Sequence, residues 1–375
     1  MKKQVTIELS GFEVPDGVAE YHAILRIINP RLTYIEQVNY LLDAYTQLLE
    51  EELESAEAVF KRFFLSDAAN QTTYLLSALE KRAEGAFSIV EQPPLDGTKI
   101  AMWVYLQKGV QAQTLSNGLV EVKHGEYRHL WTAYNFNQAS NSEEQTRILL
   151  NDYIAQLEEQ GCRLADNCIR TWFFVQNVDV NYMGVVKARN EVFATQNLTK
   201  NTHFIASTGI AGRHANPKVF VQMDAYAVEG LNPEQVHYLY APTHLNPTYE
   251  YGVSFERGTY IDYGDRRQVF ISGTASINNK GEIVHPGDVC KQTERMWENV
   301  ETLLKEAECS FEHVQHLLVY LRDISDYSVV SEMFEKRFPT IPKVYLLAPV
   351  CRPGWLVEME CMAVKPLSDN HFIAY

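Results

Sequence analysis

Val350-Cys-Arg-Pro-Gly-Trp-Leu-Val-Glu-Met-Glu-Cys-Met-Ala363 joins a tight Arg-Pro-Gly loop to a run with the two-residue alternation of a strand. Strand side chains alternate between faces, so Leu356, Glu358, Glu360 and Met362 share one side while Val357, Met359, Cys361 and Ala363 share the other. One face is apolar and the other carries two carboxylates. Taken alone, the stretch reads equally as a solvated acidic surface strand. What favours a functional reading is that the rest of the chain builds the same unit three times.

The apolar positions Ile35, Val38, Leu41, Leu42, Tyr45, Leu48 and Leu49 recur at helical spacing. A strand over Val59–Leu65, a helix from about Gln71 to Arg82, a loop with Pro93-Pro94 and a closing strand over Ile100–Leu106 follow. The order returns: a helical stripe Ile148, Leu149, Tyr153, Ile154 and Leu157, a strand over Ile169–Val175, a helix around Tyr182 to Phe193, a loop Ser207–Arg213 and a closing strand over Val219–Val228. The third pass has a strand Val269–Gly273, Asp288 as N-cap of a helix carrying Met296, Val300, Leu303, Leu304 and Ala307, a strand Val314–Leu321, a helix around Tyr327 to Phe338 and the opening stretch. The expectation is an α+β chain of three β-β-α-β-α-β modules, spanning 1–110, 111–245 and 246–375, packed as a pseudo-trimer. Overlaying the closing strands sets Gln222 and Asp224 where Glu358 and Glu360 stand, with Ala101 and Trp103 in the first copy. Such packing turns Glu358 toward a crevice between modules.

Composition narrows the chemistry. The 375 residues, 46% apolar and 22% charged, suit a globular chain of two or three modules. A formal charge of −15, without a Lys/Arg cluster, argues against a nucleic-acid partner. Met1-Lys2-Lys3 leads into a polar segment rather than an apolar run, and no stretch reaches membrane-spanning length, so the expected location is cytoplasmic. The six cysteines lack C-x-x-C spacing and paired histidines, so neither a zinc site nor a disulfide framework is expected.

Phe270-Ile-Ser-Gly-Thr-Ala-Ser276, the helix from Asp288, Tyr320-Leu-Arg-Asp323 and Cys351-Arg352-Pro353 with Glu358-Met-Glu360 together resemble the RidA/YjgF superfamily over roughly the last 110 residues. The resemblance implies a trimeric arrangement with sites between units, and an arginine before the last strand, here Arg352, that grips a substrate carboxylate. The loop after Arg352 is about two residues shorter than the family's, which implies a different pocket floor. Thr248-Tyr-Glu-Tyr-Gly-Val253, Ser272–Ser276, Ser207-Thr-Gly-Ile210 and Cys351 seven residues before Glu358 are similar to the chorismatase branch. That branch cleaves chorismate to pyruvate and a hydroxybenzoate or dihydroxy-cyclohexadiene acid, without a cofactor.

The resemblance places Glu358 and Cys351 in the active site. Glu358 beside Glu360 on an inward face has the setting of a carboxyl kept protonated, as a proton donor to a vinyl carbon requires. A second carboxylate of the substrate calls for a second cation, for which Arg213 is the candidate, with Arg257, Arg266 and Arg267 behind it. Thr208, Gly209, Tyr251, Gly273, Ala275 and Glu360 complete the expected substrate-binding set. Each has a plainer alternative: Glu358 as a structural carboxylate paired with an arginine, Arg352 bonding loop carbonyls, Arg213 solvated, Cys351 as packing, Ser207–Gly209 as a simple turn. The functions to separate are a chorismatase-like lyase or hydrolase, a RidA-type 2-imino acid deaminase, and a non-catalytic ligand-binding chain. A small carboxylic acid is the expected ligand, with the chain acting as a monomeric internal pseudo-trimer.

Overall fold

The computed structural model describes residues 4–80, 85–369 and 371–375; the expected start at Met1–Lys3 and the helix end near Arg82 lie outside the described residues. The first module comprises β1 (Val5–Phe12), β2 (Ala19–Ile27), α1 (Tyr34–Gln47), β3 (Glu57–Leu65), α2 (Ala68–Leu79), β4 (Ala86–Glu91) and β5 (Ile100–Lys108). The second comprises β6 (Gln111–Thr114), β7 (Val120–His124), β8 (Tyr127–Phe136), α3 (Ser142–Glu159), the one-turn α4 (Leu164–Asn167), β9 (Cys168–Val175), α5 (Val178–Thr195), β10 (Ala206–Ala211) and β11 (Val221–Glu229). The third comprises β12 (Val236–Leu239), β13 (Gly258–Asp262), β14 (Arg266–Ala275), α6 (Val289–Glu306), β15 (Val314–Leu321), α7 (Tyr327–Arg337), β16 (Lys343–Leu347) and β17 (Val357–Pro366).

The sheets are ordered β1-β2-β5-β3-β4, β6-β7-β8-β11-β9-β10 and β12-β13-β14-β17-β15-β16, one pattern used three times with an extra edge strand in the later copies. The expected repeat is present, and each copy inserts one further strand before its closing strand. These are β4, β10 and β16, each parallel to the strand before its crossover helix. Ser207–Ala211, read from sequence as loop, is therefore the inserted strand of the second copy. The stretch is short and small-residue-rich, and its extended state is fixed by the ladder from Thr171 to Val175 rather than by its own propensity. β12 joins the third sheet by pairing with β13, although it precedes the boundary drawn at 245.

Local signals account for the helices. Thr33 and Glu36 form a reciprocal capping box at the start of α1, whose buried stripe is Gln37, Val38, Leu41, Leu42 and Tyr45, with Ile35 left exposed. Asp288 accepts the Lys291 N–H at 3.0 Å at the start of α6, which buries Met296, Val300, Leu303 and Leu304.

Each sheet packs one face on its helices and turns the other to a shared centre. There Phe60 meets Trp131 at 5.2 Å and Trp172 at 6.2 Å, Tyr226 meets Phe270 at 5.6 Å, and Trp103 stacks on His316 at 4.4 Å. The ends of the three inserted strands staple the copies pairwise. Glu91 and Arg213 exchange backbone hydrogen bonds at 2.9 and 3.2 Å, Ala211 N–H reaches Pro349 O at 3.1 Å, and Leu347 N–H reaches Pro93 O at 2.8 Å. Tyr375 touches all three copies through Gln107, His124 and Asp265.

Arg62 crosses the first seam from β3. It is fully buried among the rings of Phe60, Trp103, Trp172 and Phe174, and its Nη2 donates to Asp224 Oδ2 of β11 at 2.8 Å. Removing one partner of a buried pair strands the other charge. Asp224→Ala is expected to destabilise the fold by about 3–5 kcal/mol, read as a lower denaturant midpoint at unchanged m-value; an unmoved midpoint would remove Arg62–Asp224 from the account of how the copies hold together.

Candidate functional site

The seam between the second and third copies opens into a cleft of about 510 Å³, lined from β10 by Ser207 and Gly209, from α5 by Tyr182 and Arg189, from β14 by Gly273 and Ala275, and from β17 by Glu358. Tyr251, Phe255, Arg257, Cys351, Arg352 and Trp355 close it from the connecting segments. A β-bulge shapes its floor: between Ile271 and Thr274 the β14–β17 register slips, setting Ser272 and Gly273 against Glu360. A Cβ on Gly273 would stand 2.3 Å from Glu358 Oε1, so only glycine lets this strand approach the carboxyl. Gly209 does the same for Tyr182, whose ring would lie 2.7 Å from an added Cβ.

The two carboxylates divide as environment dictates. Glu360 is bound on every side: it accepts from Arg170 Nη2 at 2.9 Å, from Trp172 Nε1 at 2.9 Å and from the Thr208 hydroxyl. Glu358 is 4% exposed, and its Oε1 has no hydrogen-bond partner among the described residues. Burial, and then the charge of Glu360, push its carboxyl up to about 8 against the opposing pull of Arg170 and Arg257. It is an acid that keeps its proton at neutral pH. Cys351 is pushed up to about 12, chiefly by burial and then by Glu358, so its thiol also stays protonated.

Three arginines face this neutral acid. Arg352 lies 4.5 Å from the Tyr251 ring and 5.0 Å from Trp355; Arg257 lies 5.5 Å from the same tyrosine and 5.4 Å from Phe255; Arg189 lies 5.9 Å from Phe255. Tyr251 and Phe255 thus sit between the cations and offer each a π face. Arg257 Nη2 donates to Asn246 O and Oδ1, but Arg257 Nε and Arg189 Nε and Nη2 are buried without hydrogen-bond partners. Among the described residues no carboxylate stands at ion-pair distance from any of the three. The cleft therefore carries uncompensated positive charge next to a proton donor, the arrangement that receives a multiply anionic molecule.

Of the residues chosen from sequence, Glu358, Cys351, Arg352, Gly209, Tyr251, Gly273 and Ala275 converge on the cleft. Three do not. Arg213 lies at the first seam, where its Nη1 pairs with Glu91 at 3.0 Å, because β10 ends before it and carries the chain away from the cleft. Thr208 points to the opposite side of β10 from Ser207 and Gly209, and its hydroxyl bridges Glu360 and the Gly273 N–H, the latter at 2.8 Å. Glu360 is enclosed behind Glu358. Among the reserve arginines, Arg257 is in the cleft, while Arg266 pairs with Glu20 and Arg267 with Asp262. Arg189 and Tyr182 went unread. Arg189 falls between Val185 and Val192 on the buried stripe of α5, and a cation on an apolar face was the available signal.

The residues that stand where Glu358 stands differ in the other two copies. Glu358, Gln222 and Ala101 are each the second residue of their closing strand. Gln222 donates to Ile89 O at 3.0 Å, and the bulge facing Asp224 carries Tyr134 at φ 58° where the third copy has Gly273. In the first copy Arg26 stands opposite Ala101 and pairs with Glu8.

A profile of the endoribonuclease L-PSP family matches residues 257–365. A RutC family protein of Pyrococcus abyssi is 34% identical over 100 residues, 26% of this chain and 78% of that protein. The 2-iminobutanoate/2-iminopropanoate deaminase of Mus musculus is 32% identical over 103 residues, 26% of this chain and 75% of that protein. Among solved structures, a chorismatase crystal structure superposes with a TM-score of 0.66 at 19% identity, covering 84% of this chain and 95% of that one.

The raised Glu358 carboxyl has a stability signature. Native Glu358 holds its proton between 4.5 and about 8, where the unfolded chain releases it, so this group stabilises below that window and the benefit is lost as pH rises through it. Relative to Glu358→Gln, the wild type is expected to lose up to about 1.4 kcal/mol per pH unit across the window. Denaturant unfolding of both proteins at several pH values measures it, and parallel curves would mean that Glu358 titrates normally.

Proposed function

The chain belongs to the RidA superfamily, and from that premise we propose that it removes pyruvate from chorismate or a closely related enol-pyruvyl dicarboxylate. The observation that carries the reading is the set of three uncompensated arginines, Arg189, Arg257 and Arg352, around the protonated Glu358. A substrate with two carboxylates supplies the charge that the cleft lacks. The Tyr251 and Trp355 rings are placed to cover a carbocycle, and the likeness to a chorismatase fold is in keeping with this substrate class.

In the reaction, Glu358 donates its proton to the terminal vinyl carbon of the enol ether, leaving an oxocarbenium centre on the carbon that bears oxygen and carboxylate. Water adds to that centre and returns its proton to the Glu358 carboxylate. The resulting hemiketal collapses to pyruvate and the ring alcohol, so atoms and protons balance without an oxidant or a metal. The developing negative charge on Glu358 is met by Arg257 and Arg170, the two cations that already pull its carboxyl downward. Burial first, and then the charge of Glu360, keep the donor neutral, and Glu360 takes no part in proton transfer. Cys351, with its thiol protonated, lines the site beside the donor and is not called on as a nucleophile.

Hydrolysis of a 2-imino acid is the second reading, favoured by the named deaminase among the relatives and by Arg352 ahead of the last strand. It needs one carboxylate anchor. The two readings part at Arg189, whose loss would leave imine hydrolysis intact and cripple cleavage of a dicarboxylate.

Incubation of the purified chain with chorismate is expected to release pyruvate, and Glu358→Gln to lower kcat by about 10²–10⁴-fold. Above about pH 8 the wild-type rate should fall as Glu358 loses its proton. Arg189→Leu should cut kcat/KM by about tenfold or more through the lost charge-assisted contact. No pyruvate from chorismate, with ammonia released from a 2-imino acid, would replace the first reading by the second.

A further inference from the structure

A second cavity of about 750 Å³ lies on the other side of Arg257, in the same seam. Its walls are Phe204, Tyr240 and Tyr249, with Lys200, Asn246 and Glu256 among the polar groups. The partition is the 3-10 turn Thr248–Tyr251, which sends Tyr251 into the cleft already described and Tyr249 into this one. Arg257 is 4% exposed and borders both spaces. Its Nη2 is held by Asn246, a residue of the second cavity, while its Nε has no partner. Glu256, the acid here, is committed: its Oε1 accepts the Phe204 N–H at 2.7 Å, and burial raises its carboxyl above the ordinary range. Two cations, Lys200 and Arg257, thus line this cavity with one acid, whose Oε1 is already bonded to the backbone. Aromatic walls, an exposed ammonium and a buried guanidinium with a free N–H describe a receptor for a flat ring bearing one carboxylate.

We propose that this cavity is a second binding site, for a small aromatic carboxylate, sharing Arg257 with the catalytic cleft. The choice of ligand class rests on the function proposed above, since a ring acid is what remains when pyruvate leaves. In that setting the site gives the ring acid a place adjoining the cleft where it no longer competes for Arg352 and Arg189. Benzoate is the simplest probe. Calorimetric titration of the full chain is expected to give two equivalents of benzoate. One of them should weaken at least about tenfold in both Lys200→Glu and Tyr249→Ala, two exposed positions that lie outside the cleft. A single equivalent in the wild type overturns the proposal, as does a second one that neither substitution weakens. Pyruvate release from chorismate is assayed on the same preparations. Two benzoate sites without pyruvate release count against the catalytic reading alone, and one benzoate site with pyruvate release counts against the second cavity alone.

Discussion

The Glu360 carboxylate, gripped by Arg170, Trp172 and Thr208, is the constraint on which the rest of the site depends. A buried charge is tolerated only when its partners are complete. Here they come from both sides of a seam: β9 and β10 supply the donors, and β17 supplies the acid. The same contact aligns the second and third copies, holds Gly273 against Glu358 through the Thr208 hydroxyl, and fixes a negative charge that helps keep Glu358 protonated. The contact that orders the seam thus adds to the burial that raises the Glu358 carboxyl. Replacing Glu360 by a neutral residue would lower the Glu358 carboxyl and leave Arg170 unpaired at the same time.

Much of the architecture was legible because three copies of one pattern reinforce each other. The helical stripe of α6, the apolar runs of β9 and β15 and the Asp288 cap are local signals, and repetition fixed their order. The overlay of closing strands that set Gln222 and Ala101 opposite Glu358 agrees with the ladders. The inserted strands β4, β10 and β16 were not legible. They are short, and what makes them strands is a parallel partner far away in sequence and a neighbouring module at their ends.

The site was half legible for the same reason. Arg352, Cys351, Glu358 and Gly273 lie in stretches whose local geometry carries them to the cleft. Arg213 does not reach the cleft, because Ser207–Arg213 is not one loop: the strand ends at Ala211 and the arginine passes to another seam. Thr208 and Glu360, expected in the substrate-binding set, lie behind the cleft, because alternation along β10 turns the Thr208 side chain away and Glu360 has a complete set of buried partners. Arg189 was overlooked because it lies mid-helix, outside any motif. Its place in the cleft becomes visible only when a module from elsewhere in the chain supplies Phe255 and the rest of the pocket.

The different residues found at one equivalent place, Gln222 near Tyr134 in one copy and Ala101 opposite Arg26 in another, bear on how such a chain can change. In an assembly of identical subunits every crevice carries the same residues, so any alteration appears in all of them at once. Joined in tandem, the copies can carry different residues at one place, as Glu358, Gln222 and Ala101 do here. At the bulge the shared backbone carries Gly273 in one copy and Tyr134 in another, so the two seams differ there by a whole side chain. A fused scaffold of this kind can therefore be altered at one seam while the other two keep their residues.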